Sequence, residues 1–329
     1  MGGSISKFLW VFIPLLALGI LLNILIGEIA IPINALLDPS RVYRVIMFDI
    51  RMPEVVACIM VGVNLALSGA VMQAVFRNPL AEPYVTGTAS GALFGALLGL
   101  LVIAVFRVRG LESVTLIPIL SFVGSMVATI LVIAFGRGGW LSLILAGIAV
   151  SIMFSSLVMI LDTYIITLVP TIPAVIYLLF GTVSGITWNE DVLMVIVSLP
   201  IIAYLLLSSR ELNLLMMNDD VAQASGVNPR LLRAVLIVLV GVLTAITVSF
   251  TGVIGFVGLM TPHITRFLVG GSDNSRVMPL SLISGSVIML YANIVSKVLV
   301  SGVIMPITAI TSLFGVPTLL ILLGGARHE

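Results

Sequence analysis

Residues 75–87 read VFRNPLAEPYVTG and put Arg77, Asn78, Pro79, Glu82 and Pro83 within seven positions. A base, an amide and an acid held on a two-proline turn form either a plain connection or a working part facing a pathway or a partner. The other residues able to do chemistry are sparse. His263 and His328 are the only histidines, too far apart in the chain to suggest a metal site. His263 follows Pro262 at an expected helix break, where a cap or interface role fits. Asp162 lies at an expected span end, and no second mid-span aspartate faces it as an intramembrane aspartyl enzyme requires. Cys58 is the single cysteine, so no intrachain disulfide and no thiol metal cluster can form. No G-x-x-x-x-G-K-[ST] loop occurs, so ATP is not bound in that way, and no H-E-x-x-H zinc motif occurs. The sequence therefore predicts no catalytic residue and no metal ligand in this chain.

The elements that position these residues are apolar. The 329 residues are 60 % hydrophobic and 9 % charged, against about 25 % charged in soluble domains. A helix needs about 20 apolar residues to cross a bilayer. Apolar windows at 8–27, 54–75, 86–106, 114–135, 141–161, 191–208, 231–250, 253–269, 278–299 and 315–324 predict about ten spans. These make one polytopic helical domain over residues 1–329. The N-terminal run is too long for a signal h-region, lacks a small-residue cleavage site and reads as a first span that stays. Net charge is +1, so nucleic-acid binding has no electrostatic support. Residues 162–190, punctuated by Pro170, Pro173, Gly181 and Gly185, predict a short irregular helix at the surface or re-entering. Small residues in SGALFGALLG (90–99) and SFVGSMVA (121–128) predict close helix packing.

With the N-terminus inside, the inner segments hold nine Lys or Arg and the outer ones six. The positive-inside rule then predicts both termini on the inner side. The largest inner connection, RELNLLMMNDDVAQASGVNPRLLR (210–233), parses into local signals. Asp219 or Asp220 starts a short helix, Gly226 stops it, and Asn228 with Pro229 starts the next span. Two caps exceed what a flexible linker needs, which leaves a structured idle loop or a docking element. Ionisable groups fall at span ends, Lys297 being the nearest exception. That weighs against the alternative of an ion-coupled secondary transporter, which needs a midplane site.

Two stretches resemble a known family. RMPEVVACIMVGVNLALSGAVMQAVFRNPLAEPYVTGTASGA (51–92) is similar to the R-L-P-R, G-x-x-L-A-L-S-G-x-x-x-Q and R-N-P-L-A-[DE]-P signature of ABC importer permeases of the iron-siderophore/cobalamin/haem class. ASGVNPRLLRAVLIVLVGVLTAITVSFTGVIGFVGLMTPHITRFLVGGSDNSRVMPLSLISG (224–285) resembles that family's G-V-N and G-x-I-G-F-[VI]-G-L-x-x-P-H-I-x-R. LILAGIAVS (143–151) resembles the start of its fifth span.

The resemblance implies an all-α polytopic membrane protein with ten transmembrane helices per subunit, plus short helices at the outer mouth and in the inner coupling loop. It implies a homodimer with the pathway at its two-fold interface. Two ABC ATPase subunits would carry the ATP and Mg on the cytoplasmic face, and an extracytoplasmic binding protein would deliver the cargo. No cofactor is expected in this chain. By position, Asn78 and Leu80 correspond to one inner gate and Trp140 and Leu141 to the other. The 210–230 connection corresponds to the ATPase coupling loop, with Asp219, Ala222, Ser225, Gly226 and Val227 as its contact surface. Arg51 and Lys297 correspond to residues that dock the binding protein. Departures occur at Glu54, where the family has a base, at bulky Trp140, and at Asn293 and Met305.

Overall fold

In hydrocarbon, backbone N–H and C=O groups must be bonded within the segment, so the apolar runs become helices. A computed structural model of the chain describes residues 2–27, 29–36, 40–106, 111–168, 181–300 and 305–325. Its helices are α1 (Gly2–Leu25), α2 (Arg41–Val45), α3 (Met52–Val75), α4 (Thr88–Phe106), α5 (Leu111–Phe135), α6 (Trp140–Leu168) and α7 (Trp188–Leu207). They continue with α8 (Ser209–Met217), α9 (Asp219–Ala224), α10 (Pro229–Thr251), α11 (Val257–Val269), α12 (Asn274–Val298) and α13 (Ile307–Gly325). All ten expected windows hold a helix. Eight helices among the described residues are long and apolar enough to span a membrane, and α11, at 13 residues, falls short of that length. Within 162–190, residues 162–168 continue α6 and 188–190 open α7, while 169–180 lie outside the described residues. Pro262 sits inside α11 without ending it, so His263 is a mid-helix, half-buried residue and not a cap.

The chain forms two compact units. The first comprises Met1–Ala70, Thr182–Ile202 and Ile254–Glu329. In it α12 packs against α1, α11 and α13. Gly62 of α3 and Gly285 of α12 meet so closely that a Cβ on either would lie 2.4 Å from the other's carbonyl oxygen. Only glycine allows that approach. Buried polar groups tie the helices: Asn23 donates to the Leu290 carbonyl at 3.0 Å and accepts from Asn293 at 2.9 Å. Asn64 of α3 donates to Ser198 of α7 at 2.9 Å.

The second unit comprises Val71–Gly181 and Ala203–Val253. Here α4, α5, α6 and α10 pack together. The two small-residue stretches face each other: a Cβ on Gly91 would lie 2.5 Å from the Gly124 carbonyl oxygen, and one on Gly95 would lie 1.9 Å from that of Leu120. This unit holds both candidate gate turns and the capped connection.

Candidate coupling and gate site

Helix α3 ends in two hydrogen bonds that cross a left-handed residue. Asn78 N donates to the Gln73 carbonyl at 3.1 Å and Arg77 N to that of Ala74 at 3.2 Å. This pair closes a Schellman motif, where glycine is the usual left-handed residue. Here that residue is Arg77, with φ of 47°. A side chain in this region costs about 1–2 kcal/mol, so its guanidinium must return something. Arg77 Nε donates to the Leu215 carbonyl at 2.7 Å, and Nη2 donates to Asp219 Oδ1. The turn after α3 is thereby clamped to the ends of α8 and α9.

Asn78 Oδ1 accepts from Leu80 N at 2.9 Å, which tightens the turn around Pro79. Asn78 is half-buried and Leu80 is exposed. Pro83 opens a 3₁₀ turn, Pro83–Thr86, capped by Gly87 at φ of 73°. The prolines thus fix the backbone on both sides of Leu80. At the other expected gate, Gly139 at φ of 103° leads into Trp140, the first residue of α6. Leu141 is exposed and Trp140 half-buried.

The capped connection is more structured than its sequence signals. It begins with α8, an amphipathic helix absent from the sequence reading, with Leu212 and Leu215 buried. Helix α9 follows. Asp219 opens it without bonding its own N-terminal N–H groups, because its carboxylate is engaged elsewhere. Arg233 of α10 donates to Asp219 Oδ2 at 2.8 Å and to Oδ1 at 2.5 Å. Chiefly the hydrogen bonds from Arg233, with the charges of Arg233 and Arg77, lower the Asp219 carboxyl to about 2 against a partial desolvation that acts the other way. Asp219 therefore serves the fold as the junction of three segments, and not as a free contact.

Helix α9 stops as its glycine signals. Gly226 at φ of 84° donates to Gln223, and Val227 donates to Ala222, the latter at 2.9 Å. The motif repeats the one after α3, with glycine in the place of Arg77. Asn228 Oδ1 accepts from Leu231 N at 3.2 Å, and Pro229 opens α10. Of the expected contact residues, Ser225 and Gly226 are exposed and Val227 is half-buried. Ala222 is fully buried, so it anchors α9 and offers no contact surface.

The expected docking residues need a larger correction. Arg51 and Lys297 are buried, with side-chain exposures of 8 % and 4 %. Lys297 Nζ donates to Glu54 Oε2, and Arg51 lies 3.9 Å from the same oxygen. Arg51 Nη1 also donates to the Ile26 carbonyl at 3.0 Å. Glu54, the charge reversal, draws both cations inward, pairing with Lys297 and offsetting part of the charge of Arg51. Neither is left as a surface base. The signal was present in sequence as an acid at position 54 beside retained bases, but only the fold brings α3 and α12 together.

The chain matches the FecCD transport family over residues 15–324. It belongs to that family. Among relatives of this FecCD chain is the vitamin B12 import system permease protein BtuC of Yersinia enterocolitica, 33 % identical over 97 % of this chain and 92 % of the relative. A solved structure described as a metal-chelate type ABC transporter in an inward-facing conformation aligns with a TM-score of 0.86. It is 31 % identical and covers 97 % of this chain and 99 % of that one. PsaBC from Streptococcus pneumoniae shares the fold at a TM-score of 0.56 and 16 % identity, over 88 % of this chain and 93 % of that one. The FecCD chain is thus an all-α, multi-pass membrane permease of the iron-siderophore/cobalamin/haem class of ABC importers.

Proposed function

We propose that this chain forms the translocation pathway of an ATP-binding-cassette importer and moves a large metal chelate, a ferric siderophore, haem or cobalamin, into the cytoplasm. The observation that carries the reading is the Arg77–Asp219 clamp. It ties the turn bearing Asn78 and Leu80 to the first residue of the short helix α9. A push on α9 would reach a candidate gate through one rigid contact. Transport then follows from nucleotide-dependent differences in affinity between two states of the pathway, with no chemistry in this chain.

The partners in this reading are a second copy of the chain, two ABC ATPase subunits at the exposed Ser225–Gly226 end of α9, and an extracytoplasmic binding protein. ATP and Mg belong to the ATPase subunits. Both termini lie in the cytoplasm, an orientation supported by the excess of Lys and Arg in the segments on that side. The names of the relatives support a corrinoid or metal chelate as cargo.

Co-expression with the cognate ATPase tests the proposal. Ser225→Glu combined with Val227→Glu is expected to abolish copurification and uptake while leaving the permease folded. Unchanged assembly and uptake would overturn it. Binding of ferric chelates, haem and cobalamin to the cognate binding protein identifies the cargo.

A further inference from the structure

A cleft of about 710 Å³ opens in the second unit between the Gly136–Gly139 turn and the start of α10. Arg137, Arg230 and Arg233 line it, together with Asp219, Gln223 and Asn228. The charge is unbalanced. Asp219 is the one acidic group lining the cleft, and it is already shared between Arg233 and Arg77. Arg137 and Arg230 are exposed and have no carboxylate partner among the described residues. Arg233 is 4 % exposed, and its Nε has no partner. The positive end of α10 adds to the field. Such a cleft calls for an anion.

A second cavity fixes the kind of anion. A groove of about 260 Å³ is lined only by Ile133, Ala234, Val235, Val238 and Leu239. Ile133 and Ala234 also line the arginine cleft, so the two adjoin. The groove follows α5 and α10, two helices of membrane-spanning length, from the ends where the arginines sit. A guanidinium cluster at a helix end that opens onto an apolar groove between spans matches a lipid with a charged head and a hydrocarbon tail. We propose that this is a binding site for an anionic phospholipid, with the phosphate among Arg137, Arg230 and Arg233 and one acyl chain against Ala234, Val238 and Leu239.

The site adjoins two elements of the proposed mechanism. Asp219 and Gln223 belong to α9, and Gly139 leads into Trp140. A bound lipid would brace the candidate gate turn against the coupling helix. The inference rests on the permease reading, but its test scores lipid and not uptake, so the two can fail separately.

The test uses the full chain with and without its ATPase subunits, in nanodiscs of phosphatidylcholine with a minority of phosphatidylglycerol, followed by native mass spectrometry. Phosphatidylglycerol is expected to be retained over phosphatidylcholine, in both forms. Arg137→Gln with Arg230→Gln is expected to lower that retention roughly tenfold. Ala234→Trp, which fills the groove and keeps the arginines, is expected to remove the lipid while leaving binding of inorganic phosphate intact. Retention unaffected by either variant overturns the site. Phosphate competing fully with lipid, with Ala234→Trp without effect, makes it a free-anion site and also overturns it. Loss of the lipid when the ATPase subunits assemble makes the cleft their seat, with the same consequence.

Discussion

Arg77 reaches from the turn after α3 to the carboxylate of Asp219, which Arg233 grips from the other side. One carboxylate thus joins the candidate gate turn, the candidate coupling helix α9 and α10. Asp219→Asn keeps the shape and removes the charge. It strands buried Arg233, a change worth about 3–5 kcal/mol for a fully buried pair. Asp219 itself is 37 % exposed, so solvent screening brings the expected loss down to about 1–2 kcal/mol. Arg77→Lys should lose nearly as much, because an ammonium cannot serve both Leu215 O and Asp219 in the forked geometry. Hydrogen exchange over residues 209–228 checks both: protection should fall in each variant, and uptake with it.

The same carboxylate sets an acid limit. Its folded pKa, about 2, lies below the ordinary value of 3.8. A depressed pKa contributes stability above the unfolded value and loses it as pH falls through the folded one. The clamp should therefore be intact above about pH 4 and weaken between pH 4 and pH 2. In Asp219→Asn that part of the acid transition should vanish. Exchange of the α9 amides against pH provides the measurement.

Much of this arrangement was legible in the residues. The ten apolar windows, the Gly226 stop and the Asn228–Pro229 start all act within one helix or one turn, where sequence spacing reports geometry directly. What escaped were pairings between distant segments. Asp219 looked like a helix cap because a cap is the local use of an aspartate, but Arg77 and Arg233 compete for it more strongly. Arg51 and Lys297 were expected to dock the binding protein by resemblance alone, and nothing local shows that Glu54 meets Lys297, 243 positions away. Helix α8 was hidden because its nine residues, with only Leu212 and Leu215 buried as apolar anchors, are too few to show a helical period in a segment read as a loop.

The Glu54–Lys297 pair can be tested by cycle. Removing one partner of a buried pair leaves the other charge unpaired, at about 3–5 kcal/mol. Glu54→Gln and Lys297→Met should each lower the thermal midpoint in detergent by several degrees. The double variant Glu54→Leu with Lys297→Met should recover only part of the loss, since apolar replacement of the Glu54–Lys297 pair is near neutral but leaves buried Arg51 with the Ile26 carbonyl and no carboxylate. If binding-protein affinity falls in Lys297→Met while stability holds, the residue docks the partner after all.

Gly226 separates backbone need from contact. A Cβ there meets nothing within 4 Å, yet φ is 84°. Ala should cost about 1 kcal/mol of local stability for the left-handed conformation alone. Asn, which tolerates that region, should sit close to the native chain, and β-branched Val should be worst. Uptake that follows this order makes Gly226 a backbone requirement. Uptake that falls with side-chain size, Asn as badly as Val, places the ATPase surface directly on this residue.

Leu80 is the better probe of the candidate gate than Asn78. Asn78 uses its side-chain oxygen to hold the turn, whereas Leu80 is 48 % exposed on a backbone fixed by Pro79 and Pro83. In a homodimer with the pathway on its two-fold axis, a residue at a constriction meets its own copy. Leu80→Cys should form a disulfide across the dimer under mild oxidation, and its yield should change with the nucleotide bound to the ATPase subunits. Asn78→Cys should crosslink less and should also loosen the turn, seen as faster exchange at the Leu80 amide. If Leu80→Cys crosslinks in no nucleotide state while the transporter remains active, the turn is only a connection between α3 and α4. The Arg77 clamp would then hold an anchor and not a gate.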